Sequence, residues 1–246
     1  MKVDVPMIVS VVGQVVSLFG HTCFYKGKAK LTYRTVGFLL INIGNNRTFT
    51  NNRIIIIAQY VNDINYALKG SIYYVGSCIE WLMNRFGLVS DPQSTDSIVF
   101  SLKDNRGVYF ITSLVGLLTP YWNSDSKGAF FGLSIVTSKG HLIRTVLEGI
   151  AYRVCKIVEL IKDYGFNTNY ISVDGGVSKN NFLMQFQTDL LGIKIKRPFL
   201  KEITSLGCFY LAGLKSGIWY DLFELKKLEN IEKKFSPKES NEKEIQ

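Results

Sequence analysis

The chain has 246 residues, 47% of them apolar and 13% aromatic, which excludes disordered and collagen-like classes and fits one or two packed domains. Its 29 basic and 20 acidic residues give a net charge of +9, which suits polyanionic partners such as nucleotides, nucleic acid or an anionic membrane without selecting one. Residues 226–246 hold six Lys and five Glu, so the excess lies in the body of the chain, where a diffuse basic surface is the plain expectation.

In chain order, Lys2 followed by the apolar stretch Pro6 to Phe19 has the outline of a secretory signal. Asp4, Gly13 and Gln14 interrupt it, and the expectation is a buried strand, with Met7 to Val12 as its core. Lys28 to Thr35 and Phe38 to Ile43 follow as strands joined by a short turn, and Ile54 to Tyr60 pairs with Asn65 to Leu68. Ser71 to Phe86 places Ile72, Val75, Ile79 and Leu82 near helical spacing. Ser90 to Arg106, polar and carrying Pro92, reads as a loop, and Gly107 to Thr112 as a strand. His141 to Lys162 is the longest helix, with Leu142, Thr145, Val146, Ile150, Val154 and Ile157 on one face. Tyr170 to Val173 is a strand, Asn180 to Leu191 a helix, Ile193 to Ile195 a strand and Thr204 to Ser216 a helix. Strands first and then alternating helices and strands imply an α/β fold, a mixed sheet flanked by helices. Residues 1–225 form the expected domain, and 226–246, charged and carrying Pro237, a frayed tail.

Cys23, Cys78, Cys155 and Cys208 lack any C-x-x-C spacing, which argues against a disulfide framework or a structural zinc site and for buried small apolar residues. Only His21 and His141 could serve a metal site or a Ser-His-Asp triad, and no G-x-S-x-G elbow accompanies them. No run reaches the length of a membrane helix, and Asn46-Arg47-Thr48 matches a glycosylation acceptor of a kind common by chance. Lys194-Ile195-Lys196-Arg197 reads as a solvated strand face, and Pro120-Tyr121-Trp122 as a packing corner. The most informative stretch runs from Val173-Asp174-Gly175-Gly176 to Asn180-Asn181. Two glycines ending a strand let backbone approach a ligand, and a following helix offers free N–H groups to phosphates.

That stretch, continuing through Phe182-Leu183-Met184-Gln185-Phe186-Gln187, Asp189-Leu190-Leu191-Gly192 and Arg197-Pro198, resembles the C-terminal half of glycerol kinases, within the FGGY carbohydrate kinases. Gly107-Val108-Tyr109-Phe110, Gly116-Leu117, Leu206-Gly207 and Leu211-Ala212-Gly213-Leu214 agree. So does the family's C-terminal pattern, met at Gly128, Phe130, Gly132, Leu133, His141, Leu142 and Glu148, with Thr145 where Ala or Ser is usual. The resemblance spans about Pro6 to Trp219 and implies an actin-like ATPase (RNase H-like) fold, ATP with Mg²⁺, glycerol or a similar polyol, and a cytoplasmic setting. It also implies an absent N-terminal domain, and it leaves room for a homo-oligomer.

By that resemblance, nucleotide contacts fall on Thr35, Gly76, Glu80, Gly176 and Asn180, and Glu80 stands where the family has Gln. Gln14 is the polyol contact, while Gly13 occupies the place of the general-base Asp. The hairpin motif Thr-Tyr-Gly-Thr-Gly reads Thr32-Tyr33-Arg34-Thr35-Val36, and Val36 disfavours any positive φ the turn requires. The resulting expectation is an ATP-binding domain inactive as an isolated chain. The alternative is a non-catalytic nucleotide-binding or oligomerisation module. A nucleic-acid enzyme on this fold needs converging carboxylates, and Gly13 stands where one is expected.

Overall fold

The computed structural model describes residues 10, 12–45, 55–60 and 63–238, with residues 55–60 described by their backbone alone. The Asn46-Arg47-Thr48 triplet, most of the strand expected at Met7 to Val12 and the last eight residues lie outside them. Nine strands are described: β1 Ala29–Tyr33, β2 Gly37–Gly44, β3 Ile55–Tyr60, β4 Ile64–Ile72, β5 Tyr109–Ile111, β6 Ala129–Phe131, β7 Tyr170–Asp174, β8 Lys194–Pro198 and β9 Ile231–Phe235. The helices are α1 Gly13–Gly20, α2 Gly76–Phe86, α3 Ser94–Phe100, α4 Lys139–Asp163, α5 Asn181–Leu191, α6 Ile203–Lys215 and α7 Leu222–Lys227.

Seven strands form one sheet in the order β3-β4-β2-β1-β7-β8-β9, with β5 and β6 as a separate pair. β7 runs parallel to β1 and β8, while the remaining neighbours are antiparallel. This is the mixed, helix-flanked α/β sheet expected. Strand alternation gives the two faces different chemistry. Leu31, Tyr33, Ile41, Ile171 and Val173 join α2, α4 and α5 in the main apolar core. The opposite face, under α1, carries a polar row in which Lys30 is paired with Ser172 and Thr32 with Asp174, all four buried.

Five expectations need correction. Residues 13–20 form α1 rather than continuing a strand; a short apolar run carries no periodicity that distinguishes the two, and α1 packs on α6 as well as on the sheet. That approach is close, because a Cβ on Gly20 would lie 2.1 Å from the Ile203 carbonyl oxygen and one on Gly207 2.2 Å from that of Val16. Ser71 and Ile72 end β4, and the helix begins at Gly76. The loop expected at 90–106 contains α3, whose Thr95 and Val99 are buried. The tail is ordered past Lys227, since β9 pairs with β8 and buries Phe235. Glu232, Lys233 and Lys234 of that strand are exposed, and Glu232 reaches Arg197 at 3.2 Å; Arg197 itself is buried rather than part of a solvated face.

Candidate nucleotide-binding site

The β1–β2 hairpin turns over Arg34, Thr35 and Val36, between the paired residues Tyr33 and Gly37. None of the three has a positive φ, so the two missing glycines introduce no left-handed backbone strain, contrary to the expectation for Val36. The turn caps α2: Val75 N–H donates to the Thr35 carbonyl and Gly76 N–H to that of Arg34, both at 2.9 Å, and Ser77 Oγ donates to Thr35 O at 3.1 Å. A Cβ on Gly76 would meet Arg34 O at 3.0 Å and Val177 at 3.5 Å, so this glycine seats the hairpin against the turn after β7.

In that turn the two glycines differ. Gly175 has φ +90°, and a Cβ there would lie 2.2 Å from the Tyr33 carbonyl oxygen, so the fold itself requires it. Gly176 is exposed, and nothing lies within 4 Å of its absent Cβ. A single 3-10 turn, Gly176–Lys179, then leads to α5 and is pinned by Arg197, whose Nη1 donates to Ser178 O at 2.7 Å. The first N–H groups of α5 are not left free for a ligand. Leu183 N–H donates to Asn180 Oδ1 at 2.7 Å and Phe182 N–H to Asp96 Oδ1 at 2.8 Å, while Asn180 Nδ2 donates to Thr95 Oγ1 at 3.0 Å. Asn180 is therefore a buried helix cap, and α3 is the element that holds it.

Beneath the turn lies a buried polar cluster. Asp174 Oδ2 sits 3.2 Å from His21 Nε2 and 3.3 Å from Ser17 Oγ, and His21 Nδ1 meets Ser172 Oγ at 2.8 Å. Burial acts to raise the Asp174 pKa, but hydrogen bonds and the Lys30 charge prevail and hold it at about 2. Burial lowers the His21 pKa against the pull of Asp174, which keeps the imidazole neutral. Lys30 Nζ donates to Gln14 Oε1 at 2.6 Å and to Thr32 Oγ1 at 2.7 Å. No motif signalled this cluster; its lysine faces inward only because β1 alternates.

A cleft of about 290 Å³ opens beside the turn, lined by Arg34, Asp174, Gly175, Gly176, Lys179 and Lys201, among others. Of the residues expected to contact nucleotide, Gly176 lines it, whereas Thr35, Gly76, Glu80 and Asn180 do not. Thr35 and Gly76 meet at the hairpin, and Glu80 is exposed one turn further along α2. Arg34 points to Glu202 at 3.8 Å. Gly13 and Gln14 open α1, Gly13 exposed with nothing within 4 Å of its Cβ position and Gln14 half-buried. A larger cleft of about 400 Å³ lies over α3, α4 and α5. Arg144 and Glu148 in its wall pair with each other at 2.7 Å and none of the expected site residues lines it, so the smaller cleft is the candidate.

The described fold agrees with known proteins. Residues 37–216 match the model of the FGGY family of carbohydrate kinases, C-terminal domain. The chain belongs to that family. It is 40% identical over 233 residues to glycerol kinase of Haemophilus influenzae, covering 94% of this chain and 46% of that protein. Glycerol kinase of Halalkalibacterium halodurans is 40% identical over 236 residues, 95% of this chain and 48% of that protein. The chain thus spans about half the length of these curated relatives. Among solved structures, Plasmodium falciparum glycerol kinase with ADP superposes with a TM-score of 0.88 at 34% identity, over 94% of this chain and 47% of that one. Xylulose kinase of Lactobacillus acidophilus, at 20% identity and a TM-score of 0.82, shares the fold.

In this FGGY domain the dispersed C-terminal pattern is structural. His141 closes a capping box with Ser138 at the start of α4, and Glu148 pairs with Arg144 and accepts from Asn105 Nδ2 at 2.8 Å. Thr145, the departure from Ala or Ser, donates to Val108 O at 2.9 Å. Gly132 lets β6 approach β5, where a Cβ would overlap the Gly107 carbonyl at 2.0 Å. Tyr121 and Trp122 are half exposed, and Arg153 of α4 lies over the Tyr121 ring at 4.9 Å. The cysteines are all unpaired; Cys23 and Cys78 are buried, Cys155 is intermediate and Cys208 exposed. No described helix is long and apolar enough to cross a membrane.

Proposed function

We propose that this chain is the nucleotide-binding half of a glycerol kinase-like ATP-dependent phosphotransferase and that it does not transfer phosphoryl groups by itself. The observation that carries the reading is the open flank of Gly176, held beside the Arg34–Val36 hairpin by the contact of Gly175 with Tyr33. Backbone bare of Cβ at that point admits a phosphate chain, and Arg34, Lys179 and Lys201 supply positive charge around the cleft. Thr35, Gly76 and Glu80 remain proposed nucleotide contacts, Thr35 and Gly76 through the shared hairpin, while Asn180 serves the site only by capping α5 beside the turn. The described residues contain no cluster of three His, Cys, Asp or Glu suited to a metal, so Mg²⁺ would arrive on the nucleotide's phosphates. Bound ATP would supply the transferable phosphoryl group, and this chain's part is to hold and orient it.

Gln14 is the proposed polyol contact, with glycerol the leading substrate and the half of the relatives that this chain does not span its proposed other wall. Gly13 offers no proton acceptor, and a positioned base contributes on the order of 10² to 10⁴ in rate. That same residue favours the second reading, a non-catalytic nucleotide-binding module. A reducing, cytoplasmic setting fits the four unpaired cysteines. Calorimetry with Mg-ATP, together with a coupled assay for ADP and glycerol phosphate, tests the proposal. Weak nucleotide binding without glycerol phosphate is the expected result. Absence of binding heat at millimolar nucleotide with folded protein removes the nucleotide claim, and robust glycerol phosphate formation removes the inactivity claim.

A further inference from the structure

Lys30 is wholly buried in the middle of the sheet, an unusual place for an ammonium. A methionine or leucine would fill the same space without the desolvation cost, so the charge calls for an account. Two of its protons go to Gln14 Oε1, at 2.6 Å, and to Thr32 Oγ1, at 2.7 Å. An ammonium has only donors, so the Gln14 atom that faces it must be the carbonyl oxygen. The amide NH2 of Gln14 is thereby turned away from the sheet, at the half-buried start of α1 beside the open position of Gly13. Thr32, which accepts from Lys30, sits opposite Asp174 in the β1–β7 register, and the Asp174 charge opposes the cost of burying the ammonium.

We infer that Lys30 is a positioning residue that locks the Gln14 amide with its oxygen inward and its NH2 outward, so that this position presents a fixed donor to an acceptor oxygen of the ligand. The ligand side of the inference rests on the polyol role proposed above for Gln14; the lock itself does not. One hydroxyl oxygen of a polyol would accept from Gln14 Nε2 and retain its own proton, since Gly13 provides no acceptor for it. Through Thr32 and Asp174 the same lysine ties the start of α1 to the Gly175-Gly176 turn, so the polyol and nucleotide sides share one buried anchor. Burial, opposed by Asp174, brings the Lys30 ammonium down to about 8, which makes its state observable under mild conditions. The groups around it are Asp174 on β7, Cys23 after α1, Lys69 on β4 and Arg34 at the hairpin. Of these, burial pushes the Cys23 thiol up to about 12, leaving it uncharged through that range.

The test is ¹H–¹⁵N NMR of the intact chain, the Gln14 NH2 pair being assigned by its loss in Gln14→Leu. In the native protein the pair should lie away from free-amide positions and shift with Lys30 as the pH passes about 8. In Lys30→Met the pair should move to free-amide positions and lose that titration. Because this variant strips Asp174 of its cation, Lys30→Met combined with Asp174→Asn serves as a second background in which both charges are absent. A native pair already at free-amide positions, or one unmoved by either folded variant, overturns the lock. Excess glycerol should shift the native pair further, with affinity weakened about fivefold or more without Lys30, the worth of one directed hydrogen bond. An intact lock with no response to glycerol leaves the Lys30–Gln14 assignment standing and refutes the polyol role of Gln14.

Discussion

Replacing each glycine of the Asp174-Gly175-Gly176 turn separately distinguishes ligand access from fold. Gly176→Val adds three carbons where nothing lies within 4 Å of the Cβ and the backbone has no positive φ. Its effect on stability should stay within about 1 kcal/mol, the scale of glycine propensity and unfolded-state effects. The added isopropyl group projects into the cleft, and overfilling a packed contact costs about 1–3 kcal/mol, or roughly 5- to 150-fold in nucleotide affinity. Gly175→Ala adds one carbon at φ +90°, 2.2 Å from the Tyr33 carbonyl oxygen. Backbone strain of about 1–3 kcal/mol joins an overlap that moves β1 against β7, so a loss of about 2–5 kcal/mol in stability is expected. Urea unfolding and Mg-ATP calorimetry on the same preparations read both quantities. Equal destabilisation by the two variants, or unaltered ATP binding by Gly176→Val where the native chain binds, would refute the division of roles.

Asp174 predicts an acid limit: its folded pKa of about 2 lies below the ordinary 3.8, so its stabilisation is present above that value and is lost as the pH falls towards 2. The contribution is about 2 kcal/mol, and Asp174→Asn should flatten the unfolding free energy between pH 4 and 2 by about that amount. Asn180→Ala removes the cap of α5 and the bond to Thr95, and should cost about 1–2 kcal/mol in urea unfolding. Gly13→Asp meets no atom within 4 Å and puts a carboxylate in the uncapped first turn of α1, so stability should hold or rise by about 0.3–1 kcal/mol. It should not yield glycerol phosphate from the chain alone. With an N-terminal half supplied in trans or by fusion, it should raise turnover by roughly 10² or more.

The regular strands and the long helix were legible because each carries its own periodicity. Leu31, Tyr33 and Val173 alternate with polar residues, and the apolar positions from Leu142 to Ile157 recur at helical spacing. The missed elements lack such a signal for separate reasons. The eight residues of α1, with Val15, Val16, Leu18 and Phe19 as the large apolar ones, fit either structure, α3 follows a proline and is mostly polar, and β9 buries little besides Phe235. At the site, the Gly-Gly turn was visible as a turn, but the unequal roles of its glycines depend on Tyr33, some 140 residues earlier. Asn180 was legible as a helix start, whereas Thr95 and Asp96 lie 85 or more residues away. Lys30 could not be placed at all, because a lysine on an alternating strand is normally read as solvent-facing.

Unlike Thr145, which is buried and bonded to Val108 O, the departures from the glycerol kinase pattern expected at positions 13, 34 and 36 fall where the fold is indifferent to them. Gly13 stands in open space, and Arg34 and Val36 make their turn without left-handed backbone. Where this fold is intolerant, glycine stands: a Cβ on Gly20, Gly207, Gly175 or Gly132 would lie 2.0 to 2.2 Å from the backbone oxygen of Ile203, Val16, Tyr33 or Gly107 respectively. Residue changes at position 13 and in the Arg34–Val36 turn are therefore compatible with the sheet, the helix contacts and the polar anchor under α1. On the proposed reading, a carboxylate at position 13 would supply a base without holding the reacting groups at near-attack distance. Lys30 and Asp174 are buried together under α1, and removing either one would leave the other's buried charge without its counterpart, which is costly.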